Sequence, residues 1–242
     1  VLALPLWNGG AGNTLDITDY SENAKTITPG TTEPSWSVNG SGGGGTPSWV
    51  STGIATANFY GGAAYFNGDE YDYLNVSASE DFDFGTGDFC IELWICPQPG
   101  YHTWEVMVGV GNGFYGNGGT WFSYRREAST DSVYFYVANI HGYALIATVS
   151  LTSFEDGGWH HVAVTKENGV IRFFFNGQNK TRQDWVEGNN TTVATAFSQE
   201  PFGALKPGYI GMEHWSGFHS RGYYYPYAYM QDIKVYKGAA KY

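Results

Sequence analysis

The chain has 242 residues, enough for one large or two small domains, and a chain of this size can bury roughly 70–75% of its unfolded surface. Its formal net charge of −11 does not suit a phosphate backbone, so nucleic acid is not an expected partner. Aromatic residues and glycine are abundant while charged residues make up only 14%, and no long 3.6-residue period is present, so helical bundles are excluded in favour of short strands joined by tight turns.

Taken in order, Leu2 to Trp7 predicts a short first strand, and Asp16 to Ala24 a polar loop. Residues 37–48 are rich in Gly and Ser and predict a surface loop within a single domain spanning residues 1–242. Strands are then predicted at Ala63–Phe66, Tyr71–Val76, Asp88–Cys96, Trp104–Val110, Thr120–Arg125, Ser132–Asn139 and Tyr143–Ser150. The clearest signal is a hairpin, Trp159–Thr165 and Val170–Phe175, joined through Asn168-Gly169, because Asn-Gly tolerates the positive φ of a tight turn. Asn176-Gly177 marks the next turn at once. Both faces of the hairpin carry apolar residues, the pattern of central strands covered on both sides. Val186 to Gly203 reads as a long loop, and Gly208–Met212 and Tyr229–Tyr236 as the last strands. The whole predicts an all-β protein, a two-sheet antiparallel sandwich or jelly roll.

Cys90 and Cys96 lie six residues apart on one predicted strand, so their Cα atoms are about 20 Å apart and they cannot pair with each other. Unpaired thiols argue mildly for folding in a reducing compartment. Asn-x-Ser/Thr sequons such as those at Asn39, Asn75, Asn179 and Asn190 carry little weight without a sign of secretion. There is no signal peptide and no apolar run of membrane-spanning length, so membrane insertion is not expected. A first residue of Val1 reads as a processed protein or as a piece of a longer one.

Several short segments, in this order, resemble the concanavalin A-like, laminin G-type jelly-roll domains of the bacterial and phage kind. They are Asp19-Tyr20-Ser21-Glu22-Asn23, Gly62-Ala63-Ala64-Tyr65-Phe66-Asn67-Gly68, Phe82-Asp83-Phe84-Gly85-Thr86-Gly87-Asp88-Phe89 with Ile91-Glu92-Leu93-Trp94, Trp159-His160-His161-Val162-Ala163-Val164, Phe175-Asn176-Gly177, Tyr209-Ile210-Gly211, and Met230 to Tyr242. The resemblance implies a non-catalytic glycan-binding or adhesion module, of a phage tail or a bacterial surface protein. The alternative it implies is a structural virion or filament protein whose aromatic loops form subunit contacts. Either would act at a virion surface or tail or outside the cell, with a glycan or neighbouring protein subunits as partner, as a homo-oligomer or as part of a larger assembly.

The sequence offers candidates for three kinds of site. Some glycanases of this fold carry Glu-x-Asp-x-x-Glu, since a retaining glycosidase needs two carboxyls about 5–5.5 Å apart. Here Glu70 and Asp72 are followed by Asn75, which cannot transfer the proton, so no enzyme is expected. His160 and His161 are neighbours on a strand and point to opposite faces, so they cannot share one substrate. The resemblance implies a structural calcium at Asp232, and Asp19 and Asn23, in an early polar loop, are candidates for further ligands; the alternative is a solvated Asp232 that keeps the strand edge soluble. Calcium takes about six to eight oxygens, so one carboxylate with carbonyls and waters suffices. For a ligand or interface, the segment before the last strand supplies His214, Trp215, Phe218, His219, Arg221, Tyr223, Tyr224 and Tyr225. A second aromatic cluster comprises Tyr101 and Trp104, with Trp121 and Tyr124 further on. Aromatic rings stack on the apolar faces of sugars, Tyr, Trp and Arg also serve protein interfaces, and packing within the domain is the third reading of these residues.

Overall fold

The computed structural model describes residues 2–6, 15–29, 47–50, 62–68, 72–82, 84–85, 87–99, 104–110, 120–139, 142–182, 206–210 and 225–242. Among them the strands are β1 (Leu2–Leu4), β2 (Ile27–Pro29), β3 (Ser48–Val50), β4 (Ala63–Asn67), β5 (Leu74–Ser79), β6 (Phe89–Pro97), β7 (Trp104–Val110), β8 (Thr120–Glu127), β9 (Ser132–Asn139), β10 (Gly142–Ser150), β11 (His160–Glu167), β12 (Val170–Phe175), β13 (Gln178–Asn179), β14 (Lys206–Ile210) and β15 (Tyr227–Lys237). A single helical turn, α1 (Leu151–Phe154), follows β10. One sheet runs β13-β12-β11-β6-β15-β4-β3, with β1 also paired to β15. The other runs β10-β9-β8-β7-β14-β5-β2. The pairings are antiparallel throughout, which gives the predicted two-sheet jelly-roll sandwich.

The hairpin forms as its turn residues dictate. Asn168 and Gly169 have φ of 49° and 79°, Asn176 and Gly177 have 49° and 76°, and Glu167 faces Val170 across the first turn. Strands β11 and β6 are central, and their period of two sorts residues between two faces. Phe89, Ile91, Leu93 and Ile95 of β6, with Val162 and Val164 of β11, enter the core. Cys90, Glu92, Trp94 and Cys96 therefore face outward, and Cys90, Glu92 and Cys96 are nonetheless buried. The core closes through rings from opposite sheets: Phe135 of β9 lies 4.5 Å from Phe173 of β12, and Phe154 of α1 stands edge-on to Phe135 at 5.5 Å. Such pairs add about 0.5–1.5 kcal/mol beyond their buried area.

The differences from expectation are local. β2, β3 and β13 have three, three and two residues, too few for a periodic signal, and each lies at or next to a sheet edge. Ser48, expected to end the Gly/Ser-rich loop, opens β3 instead. β5 begins at Leu74 rather than Tyr71, and β14 begins at Lys206 rather than Gly208, while Gly211 and Met212 lie outside the described residues. The remainder of the loop at 37–46 and the loop at 186–203 lie outside the described residues. Cys90 and Cys96 are both free thiols, as their spacing required. Burial raises their pKa to about 12 and about 11, and the Glu92 carboxylate adds to the rise at Cys90, so both are unreactive.

Candidate binding groove on the first sheet

Gly238, with φ of +74°, ends β15 and lets the chain double back over the outer face of the first sheet. Its N–H donates to the Asp88 carbonyl at 2.7 Å, which fixes the bend. Residues 239–242 then bring Lys241 and Tyr242 over Glu92, at the middle of β6. The resulting groove has a volume of about 530 Å3. Trp94, Trp159 and Tyr242 supply its aromatic walls, and Asn176 its amide. The Asp232–Lys234 ion pair, 2.6 Å, lies along it.

Glu92 is only 3% exposed, yet both carboxylate oxygens are filled. Oε1 accepts from Lys241 Nζ at 2.6 Å and from the Tyr236 hydroxyl at 3.1 Å. Oε2 accepts from the Tyr242 hydroxyl and lies 3.3 Å from His161 Nε2. Burial disfavours the charged form, but the hydrogen bonds from His161, Lys241 and Tyr242 outweigh it and hold the carboxyl well below the usual carboxylate range. Tyr242 is pushed up to about 12, by burial first and then by the same hydrogen bond. A carboxyl held ionised in this way cannot deliver a proton at neutral pH, so Glu92 suits ligand binding rather than general-acid work.

His160 and His161 do point apart. His160 is buried against Phe175, with ring centroids 4.9 Å apart, while His161 faces the groove 5.2 Å from the Trp94 ring. Asp72, from the glycanase-like match, is buried and accepts the Asn67 N–H at 2.6 Å, closing the turn between β4 and β5. Asn75 donates its amide to the Pro29 carbonyl.

The three residues assigned to calcium are each engaged by protein. Asp19 is buried: Oδ1 accepts the N–H of Ala3 and Ser21, and Oδ2 the Ser21 hydroxyl and the Lys25 N–H, all within 2.9 Å. That ties β1 to the polar loop. The Asn23 carbonyl accepts from Lys25 Nζ. Asp232 sits in a β-bulge with φ of +52°; its N–H donates to the Pro5 carbonyl at 3.2 Å and its carboxylate pairs with Lys234. Among the described residues no three His, Cys, Asp or Glu side chains gather as a metal site.

Of the aromatic segment before β15 only Tyr225 is described, half-buried beside the buried Pro226; His214, Trp215, Phe218, His219, Arg221, Tyr223 and Tyr224 lie outside the described residues, as does Tyr101. Trp104 is half-buried on the outer face of the second sheet, its ring 4.6 Å from Tyr136 and 5.7 Å from the Arg125 guanidinium. Trp121 lies on β8 in register with Gly109 and Ala138. Tyr124 does not join this cluster. It turns inward with Phe122, two residues before it, and is fully buried in the core.

Tyr124 instead belongs to a second buried carboxylate site, between the sheets. Glu105 is fully buried: its Oε2 accepts from the Tyr124 hydroxyl and from the Tyr227 N–H at 2.8 Å, and its Oε1 forms an ion pair with Arg126, 2.7 Å from Nη2. Arg126 also contacts Glu155 and the Gln98 carbonyl. The cluster joins β7 and β8 to β15 and to the end of β6. Burial pushes the Glu105 pKa up to about 7, and Arg126, shared with Glu155, only partly opposes it.

Sequence reasoning did not single out Glu92, His161, Lys241 or Tyr242 as a site. The available signal was a carboxylate at an alternate position of a strand otherwise apolar on both faces, Phe89 to Pro97.

Two antiparallel sheets in this order, with both chain ends on one sheet, define a concanavalin A-like sandwich. A laminin G-type family profile, described as the concanavalin A-like lectin/glucanases superfamily, matches residues 66–240, and the chain belongs to that family. Among curated proteins none matches the sequence. Solved structures share the fold at low identity. The binding domain of Paraclostridial mosquitocidal protein 1 is 13% identical, with a TM-score of 0.58 over 100% of this chain and 49% of that one. Domain 4 of AbnA, an extracellular GH43 arabinanase from Geobacillus stearothermophilus solved with arabinotriose, is 16% identical, with a TM-score of 0.51 over 98% of this chain and 94% of that one. The heptameric SAP-like pentraxin of Limulus polyphemus is 14% identical, with a TM-score of 0.51 over 71% of this chain and 73% of that one. The chain thus spans about half the length of the toxin binding domain it resembles. Among the described residues no helix is long and apolar enough to cross a membrane.

Proposed function

We propose that the protein is a non-catalytic glycan-binding or adhesion module and that the groove over Glu92 is its ligand site. The observation that carries this is the pairing of a buried, ionised carboxylate with Trp94 and Trp159 in one groove. Sugars need that combination: rings to stack on their C–H faces and fixed polar groups to orient their hydroxyls. The family match and the likeness to a sugar-bound arabinanase domain support the reading. The finer assignment, to a bacterial surface or a virion tail, is part of the same proposal. A glycan array probed with the wild type and with Trp94→Ala tests it: the wild type should bind a defined saccharide set, and Trp94→Ala should lose it with the fold intact. A blank array with folded wild type rejects the reading.

A second reading has its own observation, the Trp104, Arg125 and Tyr136 face of the other sheet. That composition suits a protein interface in a virion or filament. It predicts oligomers in solution that Trp104→Ala dissociates.

Calcium at Asp232 also stands as a proposal. An ion there must displace Lys234, so its affinity depends on that exchange. At a hundredfold excess over Kd it should stabilise by about 2.7 kcal/mol. Chelator should then lower the Tm of the wild type and leave Asp232→Ala unchanged; an unchanged wild-type Tm rejects the ion.

A further inference from the structure

The groove already holds something that behaves as a ligand. A carboxylate offers about four lone-pair positions, and those of Glu92 are taken by Lys241, Tyr236, Tyr242 and His161. Two of the four come from the doubled-back segment after Gly238. Tyr236 and His161 are fixed on strands, and both lie inside the sheet lattice. Lys241 and Tyr242 are held less firmly: the Lys241 side chain is 43% exposed and Tyr242 is 44% exposed. A ligand can reach Glu92 only by taking the places of the Lys241 ammonium and the Tyr242 hydroxyl.

That exchange constrains the ligand. Glu92 is ionised and almost wholly removed from water, and Lys241 is the lysine that compensates its charge. Replacing the ammonium by a neutral hydroxyl leaves a buried carboxylate without its cation, which is strongly unfavourable. The incoming group must bring a cation to Oε1 and a hydroxyl to Oε2, from neighbouring atoms. It must also present a flat apolar face where the Tyr242 ring now meets His161 at 5.9 Å and Phe174 at 5.4 Å.

We propose that the groove binds a saccharide carrying a free amine beside a ring hydroxyl, a de-N-acetylated hexosamine unit, and that residues 239–242 close over Glu92 as an internal competitor for it. The inference rests on the glycan-binding reading of the same groove and narrows it to cationic amino sugars. The segment acts as a strap: bound to Glu92 it closes the groove, and swung out on Gly238 it opens the groove to ligand. Apparent affinity is then the intrinsic affinity multiplied by the fraction of open groove.

The test is a titration of the full chain by tryptophan fluorescence and calorimetry. The probes are a glucosamine trimer and its N-acetylated counterpart, which keeps the rings and loses the cation. The wild type should bind the free-amine trimer and not the acetylated one. If the strap is closed about nine-tenths of the time, the double variant Lys241→Ala/Tyr242→Ala should bind the free-amine trimer about tenfold more tightly. Glu92→Gln should abolish binding while far-UV and near-UV spectra stay native. Lys241→Arg keeps the cation and should bind as weakly as wild type. Equal or tighter binding of the acetylated trimer overturns the amino-sugar inference and leaves the glycan reading standing. Unchanged affinity in the double variant overturns the strap. If no saccharide on an array binds folded wild type, the glycan reading falls and takes this inference with it.

Discussion

Glu92 and Glu105 are the same residue, each removed from water on a central part of a sheet, and they titrate in opposite directions. Glu92 lies on an outer face under a turned-back segment and has Lys241 to compensate its charge, so it is held ionised. Glu105 lies between the sheets, where burial pushes its pKa up to about 7, and the Arg126 guanidinium, shared with Glu155, only partly opposes the rise. The donors around Glu92 include two that can leave. Those around Glu105 come from β8 of one sheet and β15 of the other, which cannot part without opening the sandwich. The first arrangement suits exchange with a ligand; the second suits holding two sheets together.

The largest effect should come from removing the cation of the interior site. Arg126→Met leaves Glu105 buried without its cation, and should cost about 3–5 kcal/mol of unfolding free energy in a urea titration. Arg126→Lys, which keeps a charge but loses the fork that reaches Glu105 and Glu155 together, should fall between the two. A loss below about 1 kcal/mol in Arg126→Met would mean that the clamp does not join the sheets.

Next in size is the pH dependence. The folded pKa of Glu105 lies above its unfolded value, so the folded state holds the proton more tightly. Its contribution is fully present below about pH 4 and is lost as pH rises through about 7. The wild type should therefore lose about 3 kcal/mol between those limits relative to Glu105→Gln, whose profile lacks this step. A wild-type profile that superimposes on that of Glu105→Gln over this range contradicts the assignment.

Smaller again is the effect of Glu92 on stability. Its folded pKa is depressed, so its contribution is present above the ordinary carboxylate range and lost only as pH falls below it. Glu92→Gln should cost about 1–3 kcal/mol at neutral pH, the scale of hydrogen bonds to a charged group, and the cost should vanish in strong acid. Tyr242→Phe removes one of those bonds from a residue already 44% exposed, and should cost about 1 kcal/mol or less.

Much of the scaffold was legible because its signals are local. Asn168-Gly169 and Asn176-Gly177 specify turns by backbone conformation alone, and Ile91, Leu93 and Ile95 mark a core face by alternation. β2 and β3 were not legible because a three-residue strand is made by its neighbours: Ile27–Pro29 is a strand through β5, and Ser48–Val50 through β4. Trp121 and Tyr124 were grouped by composition, although a spacing of three residues on a strand already separates them between faces. The Glu92 groove was illegible for a different reason. Lys241 lies 149 positions from Glu92 in the chain, and the bulge at Asp232 shifts the register by which β15 meets β6. No local pattern carries either fact.

The central claim is that the outer face of the first sheet, around Glu92, receives the ligand. An amide-shift titration of isotope-labelled protein with the tightest saccharide from the array tests it most directly. The account predicts that the largest shifts fall on Glu92, Trp94, His161 and residues 239–242, and that Glu92→Gln removes them. Shifts confined to the Trp104 and Tyr136 face of the second sheet, with Glu92 and Tyr242 unmoved, would contradict it.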